Sequence, residues 1–243
     1  MVATFHRRPL PDHYRVLLLD GVVLRRRTGA GALSRPVLVA LGMTADQRKE
    51  ISDFQLAPAE SQQAWEGLLS DLYRRGLKGH ALELITVDGG KGLLAALPLV
   101  YPQVPVQRCW VHKTRNLLAL VRRAHRALVK QGLQQIYRAA TRRQAQQAAQ
   151  RFVQRWQAAY PQLVASLHRD PEELLAHFCF ADLAWRKATR TTNAIERRSV
   201  EVRRRTRPMG VFSDRTSLER IFFSIFLNEN QGVATPFTLT QTT

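Results

Sequence analysis

Two apolar runs that each end in Asp-Gly are the strongest constraint on the fold of this chain. The first spans residues 14–21 and carries Asp20, and the second spans residues 82–90 and carries Asp88. Runs of this kind are typical of buried strands, so each aspartate is predicted at the C-terminal tip of a strand. Asp-Gly after a strand is also a common turn. For either aspartate alone a turn is therefore a sufficient explanation, but their repetition, together with the positive charge of the chain and Glu196, favours a shared role.

The remaining pattern predicts an α/β fold. Residues 36–42 and 48–56 are predicted as two more strands, joined to the first by short turns in an antiparallel meander. Residues 61–75 form an amphipathic helix. Residues 113–177 have helical periodicity without any alternating run, and a last helix is predicted at 213–230.

A basic helix is predicted within residues 185–207. Ile195, Ser199 and Val202 share one helical face, and Glu196 lies at its edge. Thr192 or Asn193 is a suitable N-cap, and a capping box with Glu196 is the simplest interpretation of this glutamate. A metal-binding carboxylate within a phosphate-binding surface is the alternative. The arginines around it are Arg197, Arg198, Arg203, Arg204, Arg205 and Arg207.

The charge of the chain predicts a polyanionic partner. The 243 residues carry a formal net charge of +18 and have a pI of about 11.2, for which nucleic acid is the expected ligand. No apolar run is long enough to span a membrane, and the N-terminus lacks the apolar core of a signal peptide. With only two cysteines no disulfide framework is expected, so a cytoplasmic setting is predicted.

Asp20, Asp88 and Glu196 together form a candidate acidic triad. Carboxylate oxygens are the ligands that Mg²⁺ or Mn²⁺ prefers. Two such ions about 3.5–4 Å apart can activate a water or a 3′-hydroxyl and stabilise the leaving oxygen. The triad therefore predicts metal-dependent phosphoryl transfer.

Four motifs in order resemble the Mutator-type transposases of bacterial insertion sequences. They are Tyr14 to Asp20-Gly21, Thr86-x-Asp88-Gly89, Cys109-x-x-His112 and Trp185 to Asn193-x-Ile195-Glu196. The resemblance runs from about residue 14 to 230. It implies a ribonuclease-H-like mixed sheet with helices, an all-helical insertion and an Asp-Asp-Glu triad. It also implies transposon-end and target DNA as partners, a homodimer when active, and association with the nucleoid.

The resemblance also divides the chain. Residues 14–108 and 186–230 are expected to form the catalytic core, 109–185 the helical insertion, and 1–13 and 231–243 flexible tails. Family members carry an N-terminal DNA-binding segment, most of which we expect to be absent from this chain.

Cys109 and His112 are expected to support the active site. A structural zinc site is a weaker alternative, because it needs further ligands such as His168, His177 and Cys179. Besides the arginines named above, we expect Lys113, Arg115 and Trp185 to contact DNA. Two other functions stay open at this point: another ribonuclease-H-like nuclease, and an inactive basic DNA-binding remnant.

Overall fold

A five-stranded mixed sheet forms the centre of the protein. The computed structural model describes residues 1–28, 31–206 and 215–230. The strands are β1 (Val16–Thr28), β2 (Gly31–Met43), β3 (Lys49–Leu56), β4 (Leu84–Val87) and β5 (Val106–Arg108). Their order is β3-β2-β1-β4-β5. The first three pair antiparallel, which confirms the predicted meander, and β4 and β5 extend the sheet in parallel.

Helices cover both faces of this sheet, which confirms the predicted ribonuclease-H-like α/β class. The helices of the described residues are α1 (Val2–Arg7), α2 (Gln62–Arg74), α3 (Lys91–Val100), α4 (Trp110–Ala119), α5 (Arg126–Tyr137), α6 (Arg142–Trp156), α7 (Pro161–Leu167), α8 (Pro171–Leu175), α9 (Leu183–Thr189), α10 (Asn193–Thr206) and α11 (Arg215–Asn230). Side chains alternate along β1, so Leu17 and Leu19 pack under α2 and α3. Val16 and Leu18 pack under α10 and α11.

Helices α4 to α8 pack around an apolar core of their own. Trp110, Leu133, Phe152 and Leu163 are buried in it. Residues 109–185 contain helices and no strand, as predicted. The division of the chain into domains at these boundaries stays a prediction.

This helical stretch closes the edge of the sheet at β5. The Gln107 side chain donates to the Leu174 carbonyl at 3.2 Å and accepts from the His177 backbone N–H at 2.7 Å. The Trp110 indole donates to the same Leu174 carbonyl at 2.8 Å. An edge strand left open is a template for unwanted pairing, so these contacts protect β5 as well as fixing the helices on it.

Residues 1–13, which the sequence predicted as a flexible tail, contain a helix and buried side chains. Residues 2–7 form α1, and Phe5 and Leu10 are buried. The Arg8 guanidinium donates to the Ile51 and Ser52 carbonyls of the edge strand β3, at 3.2 and 2.8 Å. Apolar burial and these hydrogen bonds fix residues 1–13. The prolines in this segment suggested an irregular chain, so the sequence did not indicate either of them. The predicted C-terminal tail, residues 231–243, lies outside the described residues.

No helix in the described part of the chain has both the length and the apolar content required to cross a bilayer.

Candidate active site

Parallel pairing of β1 and β4 brings the two aspartates together. Leu19 lies opposite Val87, so the next residues, Asp20 and Asp88, leave the paired region side by side. Asp88 follows the end of β4, as predicted. The strand-tip position predicted for Asp20 is wrong, because β1 remains paired with β2 and Asp20 lies opposite Val39. Only the parallel pairing of β1 with β4 ends before Asp20. The end of this pairing is enough to align Asp20 with Asp88.

Helix α10 covers the sheet face to which Asp20 belongs. Asp20 shares the face of Leu18, because side chains alternate along a strand. The inward face predicted for α10 is confirmed, with three buried residues: Ile195, Ser199 and Val202. Glu196 follows Ile195 and is 37% exposed at its side chain, so it lies at the margin of this face.

The capping-box interpretation of Glu196 is wrong. The Glu196 carboxylate lies 3.5 Å from His112 Nε2 and 3.3 Å from an Arg115 guanidinium nitrogen, both on α4. Asn193 Oδ1 is buried without a hydrogen-bond partner, so it caps nothing. Thr192 precedes the helix, but its hydroxyl lies 3.5 Å from Cys109 Sγ. The backbone N–H groups of Ile195 and Glu196 donate to the Thr192 carbonyl at 2.8 and 3.3 Å, while the Thr192 side chain ties the helix start to the beginning of α4.

Cys109 and His112 form a polar contact at the start of α4. The interaction with the Cys109 thiol raises the pKa of His112 to about 9, and Asp20 and Asp88 add to this rise. Burial acts to raise the pKa of Cys109, but hydrogen bonds with His112 and Thr192 outweigh it and leave that pKa lowered. This rise in pKa favours the protonated form of His112, whose Nε2 lies 3.5 Å from the Glu196 carboxylate.

The Asp20 carboxyl is in an unfavourable environment for a negative charge. Burial, then the charge of Asp88, raises its pKa to about 7. A hydrogen bond from Thr192 and the charge of His112 oppose the rise, and Glu196 adds to it. Two neighbouring carboxylates in a buried position favour either a shared proton or a bound cation.

Glu60 is a fourth acid at this site, and the sequence analysis missed it. A Cβ placed on Gly21, the residue after Asp20, would overlap the Glu60 carboxylate. A Cβ on Gly90 would lie 3.9 Å from Glu60 Oε2 and 3.5 Å from Asp88 Oδ1. These two carboxylate oxygens are therefore close neighbours. Burial, then the charge of Asp88, raises the pKa of Glu60. The only sequence signal was its place just before Ser61, the N-cap of α2.

The donor set fits a divalent cation in part. Rigid carboxylates on adjacent strands are suitable oxygen ligands for Mg²⁺ or Mn²⁺. Among the described residues, however, no three Asp, Glu, His or Cys side chains are grouped closely enough to hold a metal ion. Glu196 is engaged by α4 instead. The same finding leaves the alternative zinc site around Cys109 without support among those residues.

Comparison with known proteins identifies the family. The model of the Mutator transposase family matches residues 1–233. The chain belongs to this family.

Three curated relatives are similar to it. The transposase for IS905 from Lactococcus lactis is 34% identical over 229 residues, which is 94% of this chain and 57% of that protein. The transposase for IST2 from Acidithiobacillus ferrooxidans is 44% identical over 170 residues, 70% and 57% of the two chains. The transposase for ISRM5 from Rhizobium meliloti is 32% identical over 228 residues, 94% and 56%. The chain therefore spans little more than half the length of these relatives.

Three of the residues predicted to contact DNA make internal contacts in this Mutator-family chain, and DNA contact by them stays a prediction. Lys113 is buried and donates to the Ser166 carbonyl at 2.7 Å and to Asp170 at 2.8 Å. Trp185 is 6% exposed and stacks on Phe180 in the core. Arg198 is half-buried and donates to the Lys49 carbonyl at 3.3 Å. The partners of Lys113 and Arg198 are distant in sequence, so spacing alone could not show them.

The other basic residues remain candidates for DNA contact in this family member. Arg197 is exposed on α10, and Arg115 is 63% exposed beside Glu196. Arg203 is exposed, and Arg204 is exposed while pairing with Glu201 at 2.9 Å. The Arg205 side chain and the whole of Arg207 lie outside the described residues. DNA contact by these arginines stays a prediction.

Proposed function

We propose that this chain is the catalytic part of a DNA transposase that cleaves and joins phosphodiester bonds with the help of Mg²⁺ or Mn²⁺. The observation that carries the proposal is the register of β1 and β4, which aligns Asp20 with Asp88 under the helix that bears Glu196. Membership of the Mutator family supports DNA as the substrate.

Asp20 and Asp88 would hold the metal, with Glu60 beside them and Glu196 joining from α10. A bound divalent cation would activate the attacking oxygen and stabilise the leaving one. Since Glu196 is ion-paired with His112 and Arg115, we propose that its carboxylate rotates away from α4 when DNA and metal bind. The side chains of His112 and Arg115, released from Glu196, then face the incoming phosphate.

Arg115 is the residue best suited to meet that phosphate. Its guanidinium is exposed next to the acids and can contact two phosphate oxygens at once. Arg197, one residue after Glu196, adds positive charge at the same margin. These two residues would orient DNA, whereas the carboxylates take part in the chemistry.

We further propose that the active form is a homodimer. A mobile DNA segment has two ends, and each chain offers one acidic site in its described residues. Two copies would allow both ends to be processed in one complex, with target DNA as the further partner.

Cleavage of supercoiled plasmid tests the proposed chemistry. With Mg²⁺ the full chain should nick the plasmid, and Asp88→Asn should lower the rate by about a hundredfold or more, since several kcal/mol of transition-state stabilisation are lost. Asp46→Asn, an exposed aspartate in the β2–β3 connection, is the matched control and should cleave normally. Equal rates for Asp88→Asn and the wild type would refute the proposal. Joining of a labelled terminal repeat, taken from the DNA that flanks the coding sequence, separates a transposase from a simple nuclease.

A further inference from the structure

A groove between α5 and α6 lies outside the acidic site. It has a volume of about 280 Å³, and neither helix contributes any of the carboxylates described above. Its rim carries Gln131 and Gln135 from α5, and Arg151 and Arg155 from α6; Phe152 and Trp156 form its floor.

Helical spacing produces this arrangement. Gln131 and Gln135 are four residues apart on one helix, as are Arg151 and Arg155 on the other, so each pair is aligned along the groove. The helices approach closely at Gly132, where an added Cβ would lie 2.8 Å from the Phe152 ring. A glycine inside a helix costs about 0.5–1 kcal/mol relative to alanine. Here the missing side chain leaves room for the Phe152 ring in the floor.

The residues that line the groove carry positive charge only. Residues 89–169 include many lysines and arginines but no aspartate or glutamate. Basic residues of this region that are paired, such as Lys113 and Arg142, find their acids beyond it, at Asp170 and Glu172.

Arg151 and Arg155 differ from those paired residues. Both are exposed, and neither has an acidic partner within the described residues. The Arg155 guanidinium lies over the Trp156 ring, at 5.3 Å from its centroid. The groove therefore presents two available guanidinium groups beside amides that can both donate and accept hydrogen bonds.

We propose that this groove binds one backbone strand of DNA, at a contact separate from the acidic site. Two guanidinium groups in register suit successive phosphates, which they can contact bidentately. The glutamine amides suit sugar and base edges. The proposal rests on DNA being the partner under the proposed function, but it does not require that the acids be catalytic.

DNA affinity without divalent metal tests the groove. Binding of a fluorescent duplex is measured by anisotropy for Arg151→Gln/Arg155→Gln. The control is Lys130→Gln/Arg143→Gln, which removes the same charge from exposed positions of the same two helices outside the groove. Thermal melting of both variants verifies folding.

The groove variant should lose about tenfold or more in affinity. Its slope of log K against log salt should become shallower by about 1.8, corresponding to two phosphates at about 0.9 each. The control pair should change both quantities clearly less. Equal losses in the two variants would mean that only net charge matters and would overturn the proposal. Because no metal is present, this result is independent of whether the plasmid is cleaved.

Discussion

At the scale of single residues, Glu60 is the acid whose role is most open to test. Its carboxylate is half-buried, lies against Gly21 and is near Asp88. If it helps to attract the cation, Glu60→Gln should raise the Mg²⁺ concentration needed for half-maximal cleavage by about tenfold, or about 1.4 kcal/mol of binding free energy. The rate at saturating Mg²⁺ should change less. A Mg²⁺ titration of plasmid nicking measures both.

Two further variants test this prediction. Glu66→Gln removes an exposed carboxylate from the first turns of α2 and should leave the Mg²⁺ dependence unaltered. Gly21→Ala should mimic Glu60→Gln, because the new Cβ displaces the Glu60 carboxylate. A Glu60→Gln enzyme with the wild-type Mg²⁺ requirement would show that this carboxylate takes no part in metal binding.

At the scale of elements, the contact of β5 with the helical stretch should be sensitive to pH. His177 is fully buried against Gln107, and burial, with the charges of Arg190 and Arg186, lowers its pKa to about 4. The unfolded chain takes up this proton near pH 6.5, whereas the folded chain resists it until about pH 4. Stability from this group is therefore complete above pH 6.5 and should decline by about 3 kcal/mol as the pH falls to 4.

Urea unfolding at pH 7, 5.5 and 4.5 measures this dependence. His177→Asn, which keeps a donor near Gln107 but cannot titrate, should flatten the decline, although it lowers stability overall. His168→Gln, at an exposed histidine of the same stretch, should follow the wild type. Parallel pH curves for His177→Asn and the wild type would assign the acid sensitivity to other groups.

Periodicity predicted elements better than it predicted the site. The meander and the buried face of α10 were predictable because Leu18 and Ile195 each belong to a repeat that satisfies one local geometry. The position of Glu60 was not predictable, because its carboxylate lies in the space left by the absent side chain of Gly21, which belongs to a different element. The buried ion pair of Lys113 with Asp170 was not predictable either, because charge alone does not reveal burial. Contacts between elements follow from tertiary packing, for which spacing gives no signal.

At the scale of the whole molecule, the net charge of +18 should dominate the strength of DNA binding. Each neutralised phosphate contributes about −0.9 to the slope of log K against log salt. A chain that covers six or more phosphates should thus lose about a thousandfold in affinity between 50 and 200 mM salt. Anisotropy titrations on one duplex across this range measure the slope. Binding that stays nearly constant over it would contradict a contact dominated by phosphates.

The position of the helical stretch between β5 and α10 has a consequence for the order in which the protein is made. A ribosome releases the segments that carry Asp20, Glu60 and Asp88 first, whereas α10 emerges only after all of α4 to α9. Until then the sheet face of Leu18 and Val39 lacks its cover, and Glu196 does not yet exist. Under the proposed function, a nascent chain therefore holds most of its acids without the complete set until α10 has been translated, so it should not cleave DNA near the ribosome before that point.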